Sequence, residues 1–371
     1  MRIKVEKRKL EAAVRTVCGA VPAKATMNIL TCILIDAVGD VVKMAGTDLE
    51  IGISTELDAK ISQSGKLCVN GKKFHDFVAK LPDEVVTLSS SKDNKNLTIT
   101  AGKTKLKLAL SCNADDFPVP SYMEGNDRII MGQAALKNAI RGVLFACDAS
   151  GNGLIRGINV RTSDDKLFLC ALDGHRIAVK QVKVSHPVET DLTVSGIHMR
   201  EVSRLLSGDT DKKVYLSFDE HHIWFDMETV KVTARLLDGK YYQYEKMFPE
   251  IEGTTVTVSG RDLGESMDRA MIFTSDTNRK PVIFDITDEY LNISISTFAG
   301  QLNEDLDAVV EGEPLHIGFN PHFIMDILRE VDDEDLELHF GSDSVSPLLI
   351  GGDGYKYLVL PVSINEGQKA A

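Results

Sequence analysis

The sequence predicts an α+β fold in which one unit, two helices packed on antiparallel sheets, occurs three times in tandem. The first observation is a helix-like segment that recurs with a period of about 125 residues. It places a leucine at equivalent positions in the three copies, at Leu10, Leu136 and Leu263. The second observation is another helix-like segment later in each copy. The third is the alternating apolar and polar run that follows it and is typical of a β-hairpin.

The helices can be placed from apolar spacing and from capping residues. In the segment 72–81, Phe74, Phe77, Val78 and Leu81 follow the i, i+3, i+4, i+7 spacing of one face of an amphipathic helix. Asn320-Pro321 predicts a helix start, because Asn caps well and Pro at the first helical position loses no hydrogen bond. The six helices are expected at 7–20, 72–81, 133–147, 196–206, 261–272 and 321–331. The segments between them are rich in β-branched residues and predict strands.

The length of 371 residues suits three domains of about 120 residues each. We expect these domains at 1–120, 128–250 and 251–371, with a polar C-terminal tail from about residue 364. The first boundary is predicted by the prolines and glycine of DDFPVPSYMEGND, and the second by FPEIEGT.

Composition excludes several classes of protein. No apolar run reaches the roughly 18 residues that a membrane helix needs, and the N-terminal segment lacks the pattern of a signal peptide. The six cysteines are scattered, without a CxxC pair, which is not typical of a disulfide framework or a zinc site. We therefore expect a cytoplasmic protein without a membrane partner, a metal or a cofactor.

Charge is distributed unevenly between helices and the rest of the chain. The net charge is −13, yet the six predicted helices together carry about +6. A basic surface made of helices within an otherwise acidic chain favours contact with phosphates on one side only. The alternative is that Lys and Arg are simply common in helices.

Three short motifs could indicate an enzyme, but each has a simpler interpretation. The Asp-Gly-His-Arg turn at 173–176 could be an Asp-His catalytic pair, but the chain contains no nucleophile-elbow motif to accompany it. Residues 219–222, Asp-Glu-His-His, lack a second ligand cluster and are expected at a hairpin tip. The glycine-rich segment 351–354 does not have the spacing of a phosphate-binding loop. We expect no catalytic residues.

In their order and spacing, six motifs resemble the bacterial β sliding clamp family over the full length of the chain. They are GTDLEI at 46–51, DDFP at 115–118, DGHR at 173–176, LLDGKYYQY at 236–244, GFN at 318–320 and YLVLPV at 357–362. The resemblance implies a DNA-replication processivity factor: a head-to-tail homodimer whose ring of six domains encircles double-stranded DNA without sequence preference. It also implies that helices line the hole, and that the partners are the replicative DNA polymerase, the clamp loader and repair proteins.

The expected DNA contacts are basic residues of the helical segments together with Lys24, which follows the first of them, because attraction to phosphates is independent of sequence and permits sliding. The third repeat should contribute little, since its helices are not net basic. The expected residues are Lys24, Lys72, Lys73, Lys137, Arg141, Arg200 and Arg204.

The segment GKTKLKLAL alternates like an edge strand, with Lys103, Lys105 and Lys107 on one face and Leu106 and Leu108 on the other. The alternative is that the lysines only protect an edge. The resemblance implies that this edge meets the third domain of a second chain. The matching residues there are Ile272, Phe273, Glu304, Asp305 and Asp307.

The resemblance further implies an apolar groove that binds short peptides of partner proteins. Leu172, Tyr242 and Lys246 depart from the common Thr, Pro and Arg and could change peptide preference. The groove residues are Ile155, Leu172, Gly174, His175, Arg176, Ile177, Tyr242, Lys246, Met247, Asn320, Phe323, Val345, Ser346, Leu358, Val359, Leu360, Pro361 and Val362.

Two other readings of the sequence remain open. One is a three-domain hydrolase or lyase with acidic residues in a cleft between domains. The other is a clamp-like scaffold that binds peptides but never encircles DNA.

Overall fold

The computed structural model describes residues 1–123, 128–148, 150–185, 188–250, 252–274 and 280–364. The first repeat contains β1 (Arg2–Glu6), α1 (Lys7–Cys18), β2 (Cys32–Val38), β3 (Val41–Thr47), β4 (Ile51–Asp58), β5 (Lys60–Gln63), β6 (Gly65–Asn70), α2 (Gly71–Ala79), β7 (Val85–Ser90), β8 (Asn96–Ala101) and β9 (Thr104–Ala109). The second contains β10 (Ile129–Gly132), α3 (Gln133–Leu144), β11 (Gly157–Ser163), β12 (Lys166–Leu172), β13 (Arg176–Lys183), β14 (Asp191–Ser195), α4 (Gly196–Leu205), β15 (Lys213–Phe218), β16 (His222–Asp226) and β17 (Val230–Arg235). The third contains β18 (Gly253–Ser259), α5 (Gly260–Met271), β19 (Val282–Ile286), β20 (Tyr290–Thr297), β21 (Gly300–Glu311), β22 (Leu315–Phe319), α6 (Pro321–Leu328), β23 (Asp335–Gly341), β24 (Leu348–Gly352) and β25 (Tyr355–Val359).

All six predicted helices are confirmed, and each ends one to three residues earlier than expected. Side-chain caps set several of the starts: the oxygens of Asn70, Ser259 and Asn320 accept hydrogen bonds from backbone N–H groups in the first turns of α2, α5 and α6. The apolar face of α2 is buried, with Phe74 and Val78 fully enclosed. Helix α6 ends at Leu328, and the N–H of its C-cap residue Arg329 donates to the carbonyls of Met325 and Ile327.

Strand pairing divides the chain into two compact units that do not follow the three repeats. The first unit comprises residues 1–137, 184–188 and 197–237, and the second comprises 138–183, 189–196 and 238–371. The units cut across the repeats because β4 pairs with β17 and β13 pairs with β25, each joining two neighbouring repeats. The domain limits 1–120, 128–250 and 251–371 therefore stay predictions.

The first unit holds a five-stranded sheet, β5-β1-β7-β8-β9, and an eight-stranded sheet, β10-β15-β16-β17-β4-β3-β2-β6. Helices α1 and α2 pack on a core that includes Ile3, Leu10, Phe74 and Leu88. A smaller cluster contains Cys32, Cys68 and Phe117, with Cys112 packed against it. The cysteines of the described residues are free thiols.

The second unit holds a twelve-stranded sheet in the order β14-β11-β12-β13-β25-β24-β23-β18-β21-β20-β19-β22. Its strand β13 lies between β12 and β25, so residues of the second and third repeats form one continuous surface there. No helix within the described ranges is long and apolar enough to cross a membrane. Residues 365–371 of the predicted tail, with 124–127 and 251 of the predicted boundaries, lie outside the described residues.

Candidate functional site

An apolar groove of about 380 Å³ lies in the second unit, on the surface formed by β13 and β25. Ile177 of β13 and Leu358 of β25 pair directly and form its floor. Nine predicted groove residues line it together with two prolines: Leu172, Gly174, His175, Arg176, Ile177, Lys246, Met247, Pro249, Pro347, Leu358 and Leu360. The cavity is large enough for one or two bulky side chains of a partner.

The turn between β12 and β13 is held by the carboxylate of Asp173. Its Oδ1 accepts the backbone N–H groups of His175 and Arg176 at 3.0 and 3.1 Å. Gly174 between them has φ +86°, a conformation that side chains other than glycine rarely adopt. The His175 carbonyl accepts the Leu360 N–H at 2.8 Å, which fixes the last groove residue. Because Asp173 is fully engaged in this turn, the DGHR motif is a structural turn and not a catalytic pair.

Arg176 is a positioning residue at the wall of the groove, with only 9% of its surface exposed. Its Nε donates to Asp173 at 2.9 Å, its Nη1 donates to Asp326 at 2.7 Å, and its Nη2 donates to the Phe145 carbonyl. Its guanidinium carbon also lies 4.3 Å from the ring centroid of Phe323. These bonds use most of its donors, so a ligand would meet the groove wall that Arg176 supports.

A segment before the third repeat covers one side of the groove. Residues Tyr244–Met247 form a single 3-10 turn, and Met247 exposes its flexible side chain at the groove. Tyr241 and Tyr244 anchor the segment in an apolar cluster with Leu172, Ile177 and Leu358. Burial raises the pKa of both tyrosines, so both hydroxyls stay protonated.

Nine predicted groove residues do not line this cavity. Ile155 packs beneath it, Asn320 caps α6, and Phe323 stacks on His175 with ring centroids 6.0 Å apart. Val359 is fully buried, so its side chain is not available at the surface. Tyr242 lines a neighbouring cavity with Lys246. Val345 is exposed, and the hydroxyl of Ser346 donates to Asp343. Pro361 and Val362 follow the end of β25.

Pro249 and Pro347 line the groove but were not predicted from the sequence. Both follow predicted groove residues closely in the chain, Met247 and Ser346. A rigid proline beside each of those positions was the available signal.

The equivalent surface of the first unit is filled by the chain itself. There Gly52 of β4 takes the position of Ile177, and a side chain at Gly52 would meet Pro120 at 2.6 Å. The Ser121 carbonyl accepts hydrogen bonds from Trp224 Nε1 at 2.8 Å and Thr233 Oγ1 at 2.9 Å. Pro120 and Ser121, which precede the second repeat, therefore fill the position in the first unit that corresponds to the open groove of the second unit.

The predicted DNA contacts differ in how free their charges are. Lys24, Lys72, Lys73 and Arg200 are exposed. Arg204 pairs with Glu201 at 2.8 Å, and Lys137 donates to the Leu206 carbonyl at 3.0 Å. In the second unit, Arg141 pairs with Glu330 at 3.2 Å. The carboxylates of Glu201 and Glu330 reduce the attraction that Arg204 and Arg141 can offer to phosphates, whereas Lys137 keeps its full charge but is held at a carbonyl.

The predicted interface residues lie at strands β9 and β21 and at the end of helix α5, with one correction. Strand β9 is an edge strand, and Lys105 and Lys107 are exposed on it as predicted, whereas Lys103 is exposed in the turn that precedes it. Leu108 packs in the core of the first repeat and is only 9% exposed, because the inward face of β9 covers that core. In the second unit Ile272 is exposed, Phe273 is half-buried, and Asp305 and Asp307 are exposed on β21. Glu304 is already engaged by Arg269 Nη2 at 2.6 Å.

Three tandem clamp domains define a non-catalytic protein of the sliding-clamp class. Models of the N-terminal, central and C-terminal domains of the DNA polymerase III beta subunit match residues 1–121, 131–243 and 245–363. The chain belongs to the DNA polymerase III beta subunit family.

Named relatives agree with this assignment. A DNA polymerase III beta subunit from Eubacterium rectale is 34% identical, with a TM-score of 0.91 over 98% of this chain and 99% of that one. The DNA polymerase sliding clamp from Bacillus subtilis is 26% identical, with a TM-score of 0.93 over 98% of this chain and 100% of that one. The beta sliding clamp of Staphylococcus aureus is 27% identical over 358 residues, 92% of this chain and 94% of that protein.

Proposed function

We propose that two copies of this chain join head to tail into a ring that encircles double-stranded DNA in the cytoplasm. The ring tethers the replicative polymerase, and the groove binds short segments of the polymerase, the clamp loader and repair proteins. Support comes from the family, whose curated relatives are named beta sliding clamps, and from the strand edges described next.

The observation that carries the proposal is that one strand junction occurs twice within the chain. In the first unit, Val230, the first residue of β17, pairs with Thr55, the fifth residue of β4. In the second unit, Tyr355, the first residue of β25, pairs with Lys180, the fifth residue of β13. The closing strand of one repeat thus joins the preceding repeat in the same antiparallel register each time.

Two strands equivalent to these are left without such a partner. Strand β9 closes the first repeat and pairs only with β8 in the described part of the chain. Strand β21 is the third repeat's counterpart of β4 and β13, and its residues 300–307 pair only with β20 there. Strands β9 and β21 do not pair with each other in the described chain, so we propose that a third junction of the same kind forms between two chains. A head-to-tail contact of this type closes into a ring when its rotation permits.

The same register predicts which residues meet. Thr104, the first residue of β9, would face Glu304, the fifth residue of β21 in a second copy. Leu106 would then face Leu302 on the half-buried side of both strands, and Lys103 would face Asp305 on the exposed side. One apolar pair, Leu106 with Leu302, meets on one face and one pair of opposite charges, Lys103 with Asp305, on the other, which favours this pairing over pairing of like edges.

Retention on DNA of defined topology tests the function. The clamp, assembled with its loader, should remain on closed circular duplex and be lost after the circle is linearised. Loss at equal rates from circular and linear DNA would contradict encirclement. It would favour the alternative of a scaffold that binds peptides without DNA.

Cross-linking tests the register. A chain carrying Leu106→Cys and Leu302→Cys should form an intermolecular disulfide on oxidation, because opposed strand residues lie within disulfide distance. Leu106→Cys combined with Asp307→Cys is the matched control. In this control the second cysteine lies five residues beyond position 302, so the pair should not cross-link. Equal cross-linking of both pairs would reject the register.

A further inference from the structure

A second cavity of about 360 Å³ lies in the same unit as the groove and is not explained by it. Both cavities lie on one face of the β13–β25 strand pair. Ile177 pairs with Leu358 under the groove, and two residues further along, Val179 pairs with Lys356 under the second cavity. Because residues two apart on a strand share a face, the floor of the groove continues into the second cavity, about 7 Å away.

The segment that covers the groove also separates the two cavities. Met247 and Pro249 border the groove, whereas Tyr244, Glu245 and Phe248 border the second cavity. The partition is one 3-10 turn thick. An extended chain covers about 3.3 Å per residue, so a bound peptide could pass from one cavity to the other with two to four residues.

The walls of the second cavity are aromatic and its charges favour an anion. Phe168, Tyr244, Phe248 and Tyr355 contribute rings. The Arg161 guanidinium lies 5.9 Å from the Phe168 centroid, and Lys356 Nζ lies 4.6 Å from the Phe248 centroid. Two cations therefore border the cavity against one carboxylate, that of Glu245.

Two polar atoms at the cavity lack hydrogen-bond partners. They are the hydroxyl of Tyr244, a side chain only 4% exposed, and Nε of Arg161, whose Nη2 binds Glu245. Buried donors without partners are unfavourable, so an acceptor that reaches them on a shift of the Arg161 side chain would bind favourably.

We propose that the second cavity binds the flank of the same partner peptide, by taking up an aromatic side chain that is followed by an acidic residue. The ring would stack among the aromatic walls, and the carboxylate would face Arg161 and Lys356. This inference rests on the proposed peptide groove and extends it: partner affinity is set by two cavities and by the spacing between them.

Fluorescence anisotropy with labelled peptides tests the inference. The core probe is a hexapeptide with leucine and phenylalanine side chains for the groove. Extended probes add a three-residue Gly-Ser spacer and Trp-Asp at either end, and control probes carry Ala-Ala in place of Trp-Asp. We expect one Trp-Asp probe to bind at least fivefold more tightly than its Ala-Ala control.

A charge-reversal variant tests whether the gain in affinity from Trp-Asp arises at the second cavity. Lys356→Glu should abolish the gain from Trp-Asp while leaving the affinity for the core hexapeptide within twofold, because Lys356 does not line the groove. Lys183→Glu, at an exposed lysine near the end of β13, is the matched control and should leave the gain intact.

The outcomes separate the two proposals. If the core hexapeptide binds but neither Trp-Asp probe exceeds its control, or if Lys356→Glu leaves the gain unchanged, the second cavity is not a docking site and the groove proposal stands. If the core hexapeptide does not bind at all, both proposals are overturned.

Discussion

The guanidinium of Arg176 lies 4.3 Å from the ring centroid of Phe323 and joins the turn after β12 to helix α6. The same side chain bonds Asp173 of the turn and Asp326 of the helix. One nearly buried cation thus connects parts of the second and third repeats and supports a wall of the groove. The groove depends on an ion network that a list of its exposed residues would not reveal.

Replacement of Arg176 should therefore destabilise the chain and weaken peptide binding together. Arg176→Ala removes the nearly buried cation that bonds both Asp173 and Asp326, and we expect the free energy of unfolding to fall by about 3 kcal/mol. Arg235→Ala removes an exposed pair with Glu50 and should change it by less than about 1 kcal/mol. Chemical denaturation measures both, and equal effects would contradict the role of Arg176.

The groove can be tested without loss of the fold through Leu360. Its side chain lines the groove and is exposed, so Leu360→Asp should reduce peptide affinity at least tenfold while the melting temperature stays within a few degrees. Val345→Asp is the control, since Val345 is 76% exposed and does not line the cavity. A similar loss of peptide affinity with Val345→Asp would show that Val345 belongs to the peptide-binding site. Truncation at Leu358 is not a clean test, because Leu358 and Val359 are core residues of β25.

The proposed junction between chains can be tested at Ile272. This residue is 77% exposed at the end of α5, so Ile272→Asp should leave the chain folded and convert dimers into monomers. Val309→Asp alters an exposed residue of β21 outside the predicted register and should leave the dimer intact. Analytical ultracentrifugation distinguishes the species. A stable Ile272→Asp dimer would contradict the seam. Leu108→Asp is expected to unfold the first repeat instead, because Leu108 packs in its core.

Release of a paired arginine should strengthen contact with DNA. Glu330→Gln removes the partner of Arg141, and we expect the variant to stay on circular DNA at a higher salt concentration than the parent chain. Lys72→Glu with Lys73→Glu should lower that salt concentration, whereas Lys43→Glu, an exposed lysine of β3 that pairs with Glu56, serves as the control. If Glu330→Gln changes nothing, Arg141 does not face the DNA.

The buried thiols predict a dependence of stability on alkaline pH. Burial raises the pKa of Cys32 and Cys68 from 9.0 to about 12. The folded chain then keeps protons that the unfolded chain releases. The stability that these two protonated thiols contribute is fully present below about pH 9, and it is lost as the pH rises toward 12. Denaturation curves between pH 8 and 11 should show the decline, and Cys68→Ala should reduce its slope.

Alkylation checks the same burial at a single pH. At pH 8.5 iodoacetamide should leave Cys32 and Cys68 unmodified in the folded chain and modify them in denaturant. Mass spectrometry of proteolytic peptides reports each site separately. Equal labelling of the folded and denatured chains would show that the pKa values are not raised.

Local signals in the sequence determined the elements of this fold. Apolar spacing, capping residues and the threefold repeat together placed all six helices, because a helix that buries one face must repeat at its own period. Alternation placed Lys105 and Lys107 outside on β9, because side chains of a strand point to opposite faces in turn. Family motifs indicated the groove, and nine of the eighteen expected residues line the cavity.

Long-range contacts were decided only by the tertiary structure. The pairing of β17 with β4 and of β25 with β13 joins residues far apart in sequence, and no local pattern states which strands pair. The same holds for the burial of Val359 and Leu108, the engagement of Arg176 and Glu304, and the second cavity beside the groove. Each depends on which side chains a fold brings within a few ångströms, whereas periodicity reports only on neighbours along the chain.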